Sequence, residues 1–130
     1  MGDIVVGYVP TPEGEAALDA AIGEARLRGR DLVVVSSDRG RGDEGGATEA
    51  ALDGIRDRAA QSGVTVQLRH VVRGLDPAED LVEAAKEIDA ELLVIGLRRR
   101  SPVGKLILGS NAQRVLLDAP CPVLAVKSGE

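Results

Sequence analysis

Glu91-Leu-Leu-Val-Ile-Gly-Leu-Arg-Arg-Arg-Ser-Pro-Val-Gly-Lys-Leu-Ile-Leu-Gly109-Ser110 reads as a buried strand, a loop of glycine and arginine, and the start of a helix. The run Leu92–Ile95 is wholly apolar, as a strand covered on both faces would be. A strand leading through a loop of backbone N–H groups to a helix N-terminus holds an anion without a metal. It is also a βα unit, from which parallel sheets are assembled.

The same alternation runs along the chain. Ile4 to Val9 is a first strand, and a helix starting near Pro12 carries Ala16, Ala17, Ala20, Ala21 and Ala25. Leu32 to Val35 leads into a loop rich in Gly, Asp, Glu and Arg from Asp38 to Gly46, then a helix with Ala47, Ala51, Leu52, Ile55 and Ala59. Val64 to Val72 alternates apolar and polar residues, the pattern of an edge strand with one wet face. The third helix has Asp76 as cap, Pro77 at its first position, Glu79 completing a capping box, and Leu81, Ala84, Ala85 and Ile88 as its buried stripe. A last helix is expected from Ser110, with Gln113 completing a second capping box, ending before Pro120; Val123 to Val126 is the fifth strand.

With right-handed crossovers, this order of elements builds a doubly wound open parallel sheet of five strands with helices on both faces, Rossmann-like. The chain must reverse direction once, most naturally between strands one and four, giving the order 3-2-1-4-5 and a single domain over residues 1–130. Ligands in such sheets bind beyond the carboxyl ends of the strands flanking the reversal. Those ends are Val9 to Thr11 and Gly96 to Arg100, so topology and the phosphate-like loop select the same place.

Composition narrows the function. The chain has 130 residues, 44% of them hydrophobic, with no Phe or Trp and one Tyr, so the core must be Val, Leu, Ile and Ala. A net charge of −5 argues against general nucleic-acid binding, which needs a dense basic face. One cysteine and one histidine cannot ligate a structural zinc, and one cysteine forms no internal disulfide. No segment reaches the roughly 20 apolar residues of a membrane span, and the N-terminus lacks a signal-peptide profile. A cytoplasmic protein is expected.

Gly96, a second position three residues on, and Gly109-Ser110 follow the spacing Gly, two residues, Gly, nine residues, Gly-Ser/Thr. In this spacing, and in Gly74-Leu-Asp-Pro-Ala-Glu79, Ala90 to Gly96 and Ala119-Pro-Cys-Pro-Val-Leu-Ala-Val126, the whole chain resembles the universal stress proteins. The resemblance implies the 3-2-1-4-5 sheet, a homodimer paired through the last strand, Val123 to Val126, and, in one subgroup, ATP at the signature loop. Two positions depart from the pattern. Arg99 stands where the middle glycine belongs, and Val9-Pro10-Thr11 stands where ATP-binding members resemble Asp-Gly-Ser. Glycine serves where backbone must approach a phosphate closely.

Two functional readings follow. In the first, a dimeric stress-response protein holds ATP or another adenine nucleotide: Gly96, Arg98, Arg99, Gly109, Ser110 and Asn111 meet phosphates. Base and ribose then lie between the turn at Val9, Pro10 and Thr11 and the end of strand two near Ser36. Arginines supply forked donors in place of the lost glycine contact. In the second, the fold and dimer persist with no nucleotide, the arginines are a solvated loop, and the protein acts through protein partners. No Ser–His–acid or Cys–His grouping is visible, so no enzyme is expected; slow phosphoanhydride hydrolysis near Asp38 stays open, with nothing to position a water. Cys121, between two prolines, reads as a small buried thiol.

Overall fold

A computed structural model of the chain describes residues 2–38, 49–72, 77–97 and 109–127. Among these, strands and helices alternate: β1 (Ile4–Gly7), α1 (Pro12–Arg28), β2 (Leu32–Asp38), α2 (Glu49–Gln61), β3 (Val66–Val72), α3 (Pro77–Ile88), β4 (Leu92–Leu97), α4 (Ser110–Asp118) and β5 (Val123–Lys127). The strands are all parallel and lie in the order β3-β2-β1-β4-β5, as the sequence predicts. β1 is the pivot: Val5 is level with Val33 of β2 on one side and Leu93 of β4 on the other.

Successive strand residues face opposite layers. Ile4, Val6, Leu32 and Val34 pack with Leu18, Ala21 and Ala25 of α1 and Ile55 and Ala59 of α2. Val5, Val33 and Leu93 pack with Leu81 and Ala85 of α3 and Val115 of α4. Ile4, Leu18, Leu32 and Leu93 are fully buried, each stabilising the fold by about 1.5–3 kcal/mol. Ala17, Ala21 and Ala25 are also inaccessible to solvent, so α1 lies close against the sheet.

Local chemistry fixes α1 at both ends. Thr11, in extended conformation, accepts the Gly14 N–H on its hydroxyl oxygen at 3.1 Å, Pro12 supplies a preset φ, and Glu13 and Glu15 favour the positive end of the helix dipole. Gly29, at φ 67°, ends the helix in the left-handed conformation that glycine takes without strain.

Several boundaries differ from the sequence reading. β1 stops at Gly7 rather than Val9, because the Thr11 N–H turns back onto the Val9 carbonyl at 2.8 Å; the Tyr8 N–H still reaches the Val35 carbonyl at 3.0 Å. β3 starts at Val66, since the Val64 N–H is held by the Ala59 carbonyl at the end of α2. The buried stripe of α3 takes in Ala78 and Val82, and Ile88 is only half buried. Residues 39–46, Ala47 and the expected cap Asp76 lie outside the described residues.

The two sheet edges differ. On β3, Gln67 is exposed and Arg69 pairs with Glu87 of α3. On β5, Val123, Leu124 and Val126 are half buried and Ala125 is exposed, while Leu116 and Leu117 of neighbouring α4 are 42% and 83% exposed.

Candidate functional site

In a parallel sheet all carboxyl ends lie on one side, and the crossover helices start there. This side therefore gathers Tyr8 to Thr11 after β1, Ser36 near the end of β2, Gly96 on β4, and the first turns of α1 and α4. The two helix starts are chemically unlike each other.

The start of α1 is spent. Pro12 has no N–H, the Gly14 N–H goes to the Thr11 hydroxyl, the Glu15 N–H goes to the Thr11 carbonyl at 2.9 Å, and two acidic side chains occupy the turn. At the start of α4 the N-cap is Gly109, which has no side chain with which to cap the turn, and the first turn holds no acidic residue. The first N–H groups of a helix have no intrahelical acceptor, so an uncapped start without negative charge offers donors and half a positive charge to an anion.

This corrects the sequence reading of Ser110 and Gln113. Gly109, at φ −72° and ψ 168°, adopts the extended cap conformation itself, and its carbonyl accepts the Gln113 N–H at 3.0 Å. Ser110 is thus the first helical residue, and Gln113 falls four residues beyond the cap instead of the three a capping box needs. Ser110 and Asn111 are exposed and Gly109 is half buried, all three at the open turn.

Gly96 has a packing reason to be glycine. A Cβ there would stand 2.3 Å from the Glu13 carbonyl oxygen, so β4 and the first turn of α1 approach backbone to backbone. Gly14 is tighter still, its added Cβ falling 1.8 Å from the Val9 carbonyl oxygen. Thr11 is half buried with its hydroxyl on the helix cap, Val9 and Pro10 are exposed, and Ser36 is only 3% exposed. Arg98, Arg99 and Arg100 lie outside the described residues, so the structure brings Gly96, Gly109, Ser110, Asn111 and Val9 to Thr11 to one side without placing the arginines.

Beneath this side lies a network that pattern reading does not find. The Tyr8 hydroxyl donates to Glu15 Oε2 at 2.5 Å, Arg58 Nη1 donates to Glu15 Oε1 at 2.8 Å, and Arg58 Nη2 reaches Asp19 Oδ1 at 2.9 Å. It ties β1, α1 and α2 together. Burial first, then the hydrogen bond to Glu15 and the charge of that carboxylate, pushes the Tyr8 phenol up to about 12. Glu15 is held below its ordinary range chiefly by the Tyr8 hydrogen bond, which outweighs the opposing effect of burial, with Arg58 adding to the lowering. Asp80, 5% exposed in the first turn of α3, is a second buried polar residue near this side, and Glu79 beside it pairs with Arg114 of α4 at 3.4 Å. Cys121 is half buried, not buried as its sequence context suggests, and that partial burial pushes its thiol up. Among the described residues no group of three or more His, Cys, Asp or Glu is placed to hold a metal, and no helix is long and apolar enough to cross a membrane.

Residues 1–127 match the model of the universal stress protein family. A universal stress protein of Mycolicibacterium smegmatis is 46% identical over 126 residues, covering 95% of this chain and 96% of that one. The solved universal stress protein of Archaeoglobus fulgidus in complex with dAMP superposes with a TM-score of 0.76 at 31% identity, over 98% of each chain. A universal stress protein in complex with cAMP superposes at 0.79 with 28% identity, again over 98% of each.

Proposed function

The chain belongs to the universal stress protein family, and from that premise we propose that it is a cytoplasmic, homodimeric stress-response protein that binds an adenine nucleotide, ATP among them, at the carboxyl ends of β1 and β4. It acts by binding, not by turnover. The observation that carries this reading is the start of α4, where the glycine N-cap has no capping side chain of its own and the first turn is free of acidic residues, in contrast to a start of α1 capped by Thr11 and carrying Glu13 and Glu15. Phosphates go to Gly109, Ser110 and Asn111, with Arg98 and Arg99 as their guanidinium partners. Base and ribose lie toward Val9, Pro10, Thr11 and the end of β2 at Ser36. Relatives solved in complex with dAMP and with cAMP support an adenine nucleotide as the class of ligand.

The homodimer is assigned to β5. Its apolar edge from Val123 to Val126, beside exposed Leu116 and Leu117, invites a second copy, whereas the β3 edge carries Gln67 and the Arg69–Glu87 pair.

A second reading keeps the dimer and dispenses with nucleotide, and the exposed apolar Val9 at the mouth together with Arg99 in the signature favours it. Calorimetric titration of the purified chain with ATP, ADP and cAMP, with Gly109→Arg as the blocked control, separates the two. Heat of binding that Gly109→Arg abolishes supports the nucleotide; no heat at millimolar nucleotide leaves the partner-acting dimer.

A further inference from the structure

The structure assigns to Arg58 of α2 the positioning of Tyr8, the last buried residue before the turn at Val9 to Thr11. Its two-armed guanidinium sets the Glu15 carboxylate to which the Tyr8 hydroxyl is tied. No ligand enters this inference, and it stands whether or not a nucleotide binds. Glu15 and Asp19 follow one another at i and i+4 on one face of α1. Arg58 Nη1 holds Glu15 Oε1 at 2.8 Å while Nη2 holds Asp19 Oδ1 at 2.9 Å. A planar fork anchored at both arms has a fixed direction, which a single ammonium on a flexible stem lacks. Glu15 is gripped by one oxygen and presents the other, Oε2, to the Tyr8 hydroxyl at 2.5 Å.

The ends of this relay differ in exposure. Tyr8 is buried in the layer where α1 and α2 cover β1 and β2, whereas the side chains of Arg58 and Glu15 are 41% and 43% exposed. A carboxylate so open has water as an alternative partner. Released by Arg58 it swings outward, and Tyr8 is left with its packing and its N–H bond to the Val35 carbonyl at 3.0 Å. Ile55 and Ala59, which flank Arg58 on α2, are buried against the same layer, so the seating of α2 aims the fork. An acidic group of a partner that draws Arg58 off Glu15 thus loosens the end of β1 from the outside of the molecule.

A double-mutant cycle in urea, on the full chain at neutral pH, tests this. Tyr8→Phe lowers the midpoint of the wild type; in Arg58→Met it is expected to lower the midpoint by no more than about half as much, because the bond it removes is already loosened. A larger effect overturns the inference, since Glu15 would then reach Tyr8 without Arg58. Arg58→Lys keeps the charge and loses the fork, and is expected to behave as Arg58→Met does; a Tyr8→Phe effect of wild-type size there overturns it too. The phenolate absorbance of the single tyrosine adds a sign that plain loss of stability does not produce. The Arg58 charge favours the phenolate and Glu15 opposes it, so folded Arg58→Met, its helices followed by circular dichroism, is expected to titrate about one pH unit below the wild type. A titration at or above the wild-type value overturns the inference.

Discussion

Gly96 of β4 faces the Glu13 carbonyl of α1 so closely that an added Cβ would lie 2.3 Å from that oxygen. The obstacle is main chain, which no rotamer change relieves. Gly96→Ala is expected to destabilise the fold by about 1–3 kcal/mol, as overpacking does, read as a lower urea midpoint at unchanged slope. A midpoint equal to the wild type would mean that the first turn of α1 gives way freely.

Tyr8 and Glu15 make stability depend on pH at both extremes. The Tyr8 phenol is raised from 10.0 to about 12, so its contribution is complete below pH 10 and is lost as pH rises from there through 12. Glu15 is lowered from 4.5, so its contribution is complete above that value and is lost as pH falls through the depressed folded one. The phenolate absorbance of this single-tyrosine chain checks the first directly: half-titration near pH 10 in the folded protein would contradict the buried hydrogen bond. Tyr8→Phe is expected to cost about 1 kcal/mol, less than is usual for a bond to a charged partner, because the Glu15 side chain is 43% exposed.

Asn111→Asp should move stability and binding in opposite directions. A carboxylate in the open first turn of α4 favours the helix by about 0.3–1 kcal/mol, raising the melting temperature slightly. The same charge opposes a phosphate there, and ATP affinity is expected to fall about tenfold. Unchanged affinity would place the phosphates elsewhere.

Ala125, exposed on β5, is the position at which to break the homodimer. Light scattering of the wild type at micromolar concentration is expected to give twice the chain mass of 13.5 kDa, and Ala125→Lys, an edge-blunting change, to give the single mass. A wild-type monomer would remove β5 as an interface.

The strands were legible because Leu32–Val35 and Leu92–Ile95 are buried on both faces and so wholly apolar, and their alternation with alanine-rich helices fixed the sheet order. Strand ends were less legible. β2 continues through Ser36, Ser37 and Asp38, paired by backbone with His70, Val71 and Val72, and main-chain pairing leaves no trace in side-chain hydropathy. Ser110 was misassigned as a cap because glycine and serine both favour that position, and only the dihedral angles of Gly109 decide between them. The hydroxyl oxygen of Thr11 caps α1, a bond that the residue type alone does not announce. The contacts of Gly96 with Glu13 and of Arg58 with Glu15 join segments far apart in sequence, beyond what any local pattern encodes.

The unlike edges of the sheet also set how far assembly goes. In the proposed homodimer an apolar β5 meets its own copy about a twofold axis and the contact closes on itself, with the β5 edge of each copy used up. Addition of β5 to β3 would instead repeat head to tail without end, and the Arg69–Glu87 pair with Gln67 stands in the way of that fibre. In the proposed homodimer, one receptive border and one blunted border would make the smallest closed assembly also the last.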